Sequence, residues 1–199
     1  MLVDAGVDFL FFDCTNAQMY ASNAQVVLDE IKRRDELGLK YPTLAFMVHS
    51  AAAGTMVKIF NRFYRYNPEN DKYWFHWDGK PLALAPESEM PSSNEALINH
   101  FTFRNSWAWM KGQKAKEWAW LEYYPQKPGW ANRYDPVSMM TRKMNEQISV
   151  SVAQHATTKV GKSYHGGKQP GIDKYGMCKE TPQGLYFEEQ WKEALRVHP

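Results

Sequence analysis

The chain has 199 residues, 44% of them hydrophobic and 23% charged, the composition of a globular domain with a substantial core. A net charge of +2 with no run of Lys or Arg leaves no electrostatic footprint for nucleic acid, and no apolar stretch is long enough to cross a bilayer. Two cysteines, Cys14 and Cys178, exclude a disulfide framework and supply no Cys/His spacing for structural zinc.

Residues 1–6 read as the last turn of a helix closed by Gly6. Residues 7–12 form a nearly unbroken apolar run, expected as a strand buried on both faces of a parallel sheet and ending at Asp13. Ser22 or Asn23 caps a helix expected to reach Leu37, with Val26, Val27, Ile31 and Arg34 facing inward and Gly38 stopping it. Residues 43–48 are a second buried strand, running out at His49 and Ser50. Helical periodicity over residues 52–66 ends at Asn67-Pro68. Residues 73–77 and 80–85 flank Asp78-Gly79, a strong hairpin signal, and the second arm ends at Pro86-Glu87.

Residues 101–104 and 118–122 are two further short strands separated by a loop or short helix. A loop rich in Pro, Gly and Tyr is expected over 123–135, a helix over 136–146, and a strand over 148–153 ending at Gln154 and His155. Residues 156–182 are rich in Gly, Lys and Thr with little periodicity, the pattern of a binding loop or a disordered segment. Residues 184–197 close as an amphipathic helix with Leu185, Phe187, Trp191 and Leu195 inward.

Strand and helix thus alternate about six times, which argues an α/β fold with a parallel sheet. Eight such units make a (β/α)8 barrel of the TIM type in about 250 residues. The chain is therefore expected to be a single, incomplete barrel domain over residues 1–199, lacking the first strand–helix unit and the last strand. The alternative is an open doubly wound sheet, which would place a glycine-rich phosphate turn after its first strand. Asp13-Cys14-Thr15-Asn16 is not such a turn.

Polar residues recur where apolar runs end, which is where α/β proteins gather ligands and chemistry. Asp13 offers a nucleophile, a general base or an acceptor for sugar hydroxyls; its structural alternative is a cap or a loop hydrogen bond. Glu122, among aromatic residues, suits a general acid because desolvation favours its neutral form. Glu87 is a third candidate carboxylate. Arg104 carries a planar fork suited to a carboxylate, of a neighbouring acid or of an acidic sugar. Asn16, His49, Gln154 and His155 are candidate hydroxyl ligands at strand ends, and Trp107 is a candidate stacking platform. Cleavage of a glycosidic bond needs two carboxyl groups facing each other across it, and several are available. There is no GxSxG elbow for a serine nucleophile and no diagnostic metal-ligand spacing.

Three stretches, residues 7–16, 73–82 and 146–155, together resemble bacterial (β/α)8 glycoside-hydrolase-like proteins, broadly those similar to families 71 and 99. The resemblance implies a barrel fold, a carbohydrate substrate, no required cofactor and export to the periplasm or beyond. It also implies a further acidic residue in a Trp- and Asn-containing motif on the last strand. This chain has no such motif, in line with an incomplete barrel. Non-catalytic sugar binding by the same barrel and chemistry on a non-sugar small molecule through His155 are the alternatives.

Overall fold

A computed structural model describes residues 1–108, 114–122, 125–151 and 184–197. Contacts divide the chain into two compact units, Met1–Arg104 and Asn105–Pro199.

In the first unit, β1 (Phe9–Cys14), α1 (Ala21–Glu36), β2 (Thr43–Val48) and α2 (Ala52–Ile59) follow one another. They are succeeded by β3 (His76–Trp77), β4 (Lys80–Leu84), α3 (Glu95–His100) and β5 (Thr102–Arg104). β1 pairs with β2, β2 with β4, and β4 with β5, all parallel. β3 is an antiparallel arm on the start of β4. The turn between them holds Asp78 at φ 53° and Gly79 at φ 78°, the doubly left-handed geometry that the Asp-Gly pair favours. Ahead of β1, a single hydrogen-bonded turn closes at Gly6, which sits at φ 77°.

Alternation along the strands separates two faces. Leu10, Phe12 and Cys14 of β1, Leu44, Phe46 and Val48 of β2, Ala83 of β4 and Phe103 of β5 join one core cluster. Ala24, Leu28 and Ile31 of α1, Met56 and Ile59 of α2, and Leu97 of α3 belong to that same cluster. All three helices therefore cover one face of a sheet whose parallel strands follow chain order. A doubly wound sheet distributes its helices over both faces. Single-sided winding is what a barrel requires, although the described strands leave β1 and β5 as the ends of an open order.

Local chemistry moves some boundaries. α1 begins at Ala21 with Tyr20 in the cap position and no side-chain cap, so Ser22 and Asn23 fall inside the helix. Its inward face is Ala24, Leu28 and Ile31, while Val26 is 69% exposed. Arg34 lies half-buried because its guanidinium donates twice to the Lys40 carbonyl. After α2 the helix widens into a π turn, Phe60–Tyr64, before it ends.

Asp35, near the end of α1, accepts hydrogen bonds from Lys72 Nζ (2.6 Å), Tyr73 Oη (3.0 Å) and Tyr41 Oη (3.1 Å). The Lys72 bond first, then the tyrosine hydroxyls, hold its carboxyl below the ordinary 3.8. A depressed carboxylate stabilises the fold above its unfolded pKa and loses that contribution as pH falls through the folded one. Asp35→Asn should therefore be less stable than the wild type at about pH 6 and indistinguishable from it at about pH 2. Urea midpoints at the two pH values check this, and a gap that persists in acid would refute it.

In the second unit, Asn105 forms a parallel bridge to Glu117, and Ala115 one to Trp130. Residues 118–122, expected as a strand, are irregular apart from the bond donated by the Trp118 amide to the Asn105 carbonyl. β6 (Gly129–Asp135) and β7 (Met140–Gln147) form an antiparallel hairpin. This corrects the expected helix over 136–146 and the expected loop from Gly129 on; 125–128 are loop as expected, and 123–124 lie outside the described residues. Asp135 decides it: its carboxylate accepts from the Val137 amide and the Ser138 hydroxyl, fixing a turn where a helix was expected to start. Residues 148–151 are not strand, and the rest of the strand expected there lies outside the described residues.

Gly129 is tightly enclosed: a Cβ there would meet the Glu117 carbonyl at 2.6 Å and the Trp118 ring at 2.8 Å. Gly129→Ala should cost this unit about 1–3 kcal/mol through overpacking. Thermal melts should show a lower midpoint, and an unchanged one would mean that residues 117–118 yield freely.

α4 (Leu185–Val197) lies the other way round from expectation. Gln190, Glu193 and Ala194 are buried, whereas Phe187, Trp191 and Leu195 are exposed. Hydrogen bonds set this face: Gln126 Nε2 donates to the carbonyls of both Ser149 and Gln190, and the Ser151 amide donates to Gln190 Oε1.

Candidate functional site

The parallel strands of the first unit end at a common rim. Asp13 stands opposite Met47, Met47 opposite Leu84, and Leu84 opposite Arg104. These four share the face away from the helices. His49 and Glu87 follow the ends of β2 and β4, so both lie beyond the same rim.

Asp13 is exposed, and its Oδ1 accepts from the Thr15 amide (2.9 Å) and the Thr15 hydroxyl (2.7 Å). One oxygen thus fixes the carboxylate to its own loop, and the other is available to a ligand. The structural reading of Asp13 as a loop acceptor and the functional one hold together. Its neighbour Cys14 points into the helix-side core, and burial, then the Asp13 charge, pushes its thiol up to about 11. Cys14 is therefore no nucleophile.

Asn16 donates to Tyr20 Oη at 2.7 Å and accepts from the Gln18 amide at 3.2 Å, which holds the β1–α1 loop in shape. The Ser50 amide donates to the Thr15 carbonyl at 2.9 Å, joining this loop to the one after β2. Within these two loops Ala17 (φ 65°), Tyr20 (φ 48°) and Ala51 (φ 48°) all have left-handed backbones. Each such residue costs roughly 1–3 kcal/mol, and strain of this kind gathers at functional sites. His49 is half-buried between the loops, and Glu87 is exposed in the 3₁₀ turn Glu87–Glu89.

Arg104 meets the carboxylate of a neighbouring acid, one of its two expected partners. Its side chain is only 3% exposed, and Nη2 donates to Asp78 Oδ2 at 2.8 Å while Nη1 donates to the Phe103 carbonyl at 2.9 Å. The carboxylate it meets is that of the hairpin turn at the start of β4, so Arg104 fastens that hairpin.

Glu122 and Trp107 belong to the second unit, both half-buried. The Trp107 ring meets Trp120 edge to face at 6.4 Å. Gln154 and His155 lie outside the described residues. Among the described residues of this unit, the best-enclosed carboxylate is one the sequence did not single out. Glu146, with a side chain 1% exposed, accepts from Arg133 at 2.8 Å and from the Trp118 indole at 2.9 Å. Arg133 reaches it from the other arm of the hairpin and Trp118 from outside it, and a helix expected over 136–146 hides both contacts. Thr15 and Tyr20, which shape the Asp13 loop, were also missed; the short polar run after Asp13 was the available clue.

Among the described residues no group of three His, Cys, Asp or Glu side chains is arranged to hold a metal ion. None of their helices is long and apolar enough to cross a membrane. Comparison with known proteins returns no family model, no curated protein and no solved structure that matches this chain.

Proposed function

We propose that the protein is a glycoside hydrolase-like protein acting on a polysaccharide or oligosaccharide, with Asp13 as a working carboxylate at the rim of an incomplete (β/α)8 barrel. The observation that carries this reading is the Asp13 loop. A carboxylate at a parallel strand end, with one oxygen anchored and the other exposed, is flanked by strained residues in two tied loops. Single-sided winding of the sheet supports the barrel. Asn16, exposed, and His49, half-buried, lie in these same two loops and suit a ligand rich in hydroxyls. Glu87, beyond the same rim, is the candidate for the second carboxyl, and the pair would work without cofactor or metal. Nucleic acid is not the proposed ligand, since the charge is nearly balanced.

Release of reducing ends from a panel of neutral and acidic polysaccharides tests the reading. Activity on at least one is expected. Retention on a polysaccharide column without release would favour a sugar-binding barrel, and neither release nor retention would refute a carbohydrate role.

A further inference from the structure

The outer face of α1 carries a pattern that the rim reading does not use. Val26, Glu30, Arg33 and Leu37 lie four, three and four residues apart, the spacing that sets side chains in one stripe along a helix. All four are exposed, Val26 by 69% and Leu37, which closes the helix, by 59%. Apolar residues therefore stand at the two ends of the stripe, with opposite charges between them.

Single exposed apolar side chains are ordinary, whereas a cluster of them marks a contact surface. Val26 and Glu30 also border an open, mainly apolar groove that Met1, Leu2, Leu10 and Pro42 help to line. Met1 and Leu2 are exposed there, as is Leu39 just past the helix. The charges of the stripe are already ordered: Arg33 Nε and Nη2 donate to the two Glu30 oxygens at 2.7 and 2.8 Å. Both heads are thus held on the outer face, and a partner that meets them there has less side-chain freedom to remove.

We propose that α1 pairs antiparallel with α1 of a second copy of this chain, across a two-fold axis passing between Glu30 and Arg33. The order of the stripe carries this. Read backwards it is Leu, Arg, Glu, Val, so under the two-fold each apolar residue meets an apolar one and each charge meets its opposite. A parallel pairing in the same register would set Glu30 against Glu30 and Arg33 against Arg33. At the axis the two intrahelical pairs join into a network of four alternating charges, which holds better than an isolated surface pair. The stripe as a whole is neutral, so a strongly acidic or basic partner gains nothing from it. A stable dimer buries about 1,200–2,000 Å² in total, more than one stripe provides, and Met1, Leu2 and Leu39 extend the apolar area beside it. The inference stands apart from the proposed chemistry, since it uses none of the rim residues.

The test is sedimentation velocity of the whole chain from low to high micromolar concentration. The wild type should shift with concentration from monomer to a species of twice the mass. Glu30→Arg and Arg33→Glu each set like charges across the axis and should each weaken association at least about tenfold. The double variant Glu30→Arg/Arg33→Glu restores the alternation and should recover the dimer. An equimolar mixture of the two single variants should form a dimer that neither forms alone. Val26→Asp should weaken association as the single charge reversals do, with circular dichroism confirming the fold of every variant. A wild type that stays monomeric would overturn the proposal and leave the groove to a partner of another kind. Single variants that associate like the wild type, a double variant no better than they are, or a mixture that stays monomeric would overturn it too.

Discussion

Asp13→Asn should lower the release of reducing ends by about 10²–10⁴-fold, the range expected when a general acid or base loses its charge. The substitution is chosen because the loop should survive it. Asn retains an oxygen at the Oδ1 position, which still accepts from the Thr15 amide and hydroxyl now 2.9 and 2.7 Å away. The Ser50–Thr15 tie between the two loops is a backbone bond and does not involve the carboxylate. Sugar retention should therefore persist while turnover falls. Thr15→Val separates positioning from chemistry: it removes the hydroxyl donor but not the charge, and should cost about 10-fold or less. Turnover in Asp13→Asn within twofold of the wild type would remove Asp13 from the reaction and return the choice to Glu87 and Glu122.

The parts of the fold that could be read from sequence are those whose information is local. Buried parallel strands are apolar on both faces, and β2 stood out as such a run; β1 read the same way, yet Phe11 and Asp13 leave one of its faces exposed, which corrects the expectation of a strand buried on both sides. Asp78-Gly79 announced its turn because few other pairs tolerate two consecutive left-handed residues. The second unit hid its hairpin because β7, Met140–Gln147, is mostly exposed and carries no apolar alternation to betray a strand. Its partner β6 supplies the pairing, and that relation is not local. α4 was misread for a related reason. Phe187, Trp191 and Leu195 form a stripe at helical spacing, yet the amide network of Gln126 and Gln190 sets the face that turns inward.

The same division runs through the candidate residues. Strand ends were legible, so Asp13, His49 and Glu87 were found at one rim. What each side chain meets there was not. Arg104 was expected to meet the carboxylate of a neighbouring acid or of an acidic sugar, and which acid it meets was hidden: Asp78, supplied by a hairpin whose tip lies 26 residues earlier in the chain. The backbone strain at Ala17, Tyr20 and Ala51 leaves no mark in composition, because alanine and tyrosine are unremarkable loop residues. Only the backbone angles reveal it, and Lys116 and Met139 in the second unit carry the same kind of strain.

Phe46→Ala should destabilise the first unit by about 3–5 kcal/mol, a large share of the roughly 5–15 kcal/mol that holds a domain folded. Phe46 is 1% exposed at the centre of β2, with the rings of Phe12, Phe63, Trp74 and Tyr64 at 5.1, 5.2, 6.0 and 6.4 Å. These neighbours come from β1, from the π turn and from the segment before β3, so no single element can shift to refill the space. Phe11→Ala is the control, since that ring is 44% exposed on the opposite face of the sheet and should cost about 0.5–1 kcal/mol. Urea denaturation of the two variants decides the matter. Similar losses at both positions would show that the helix-side cluster does not dominate the stability of this unit.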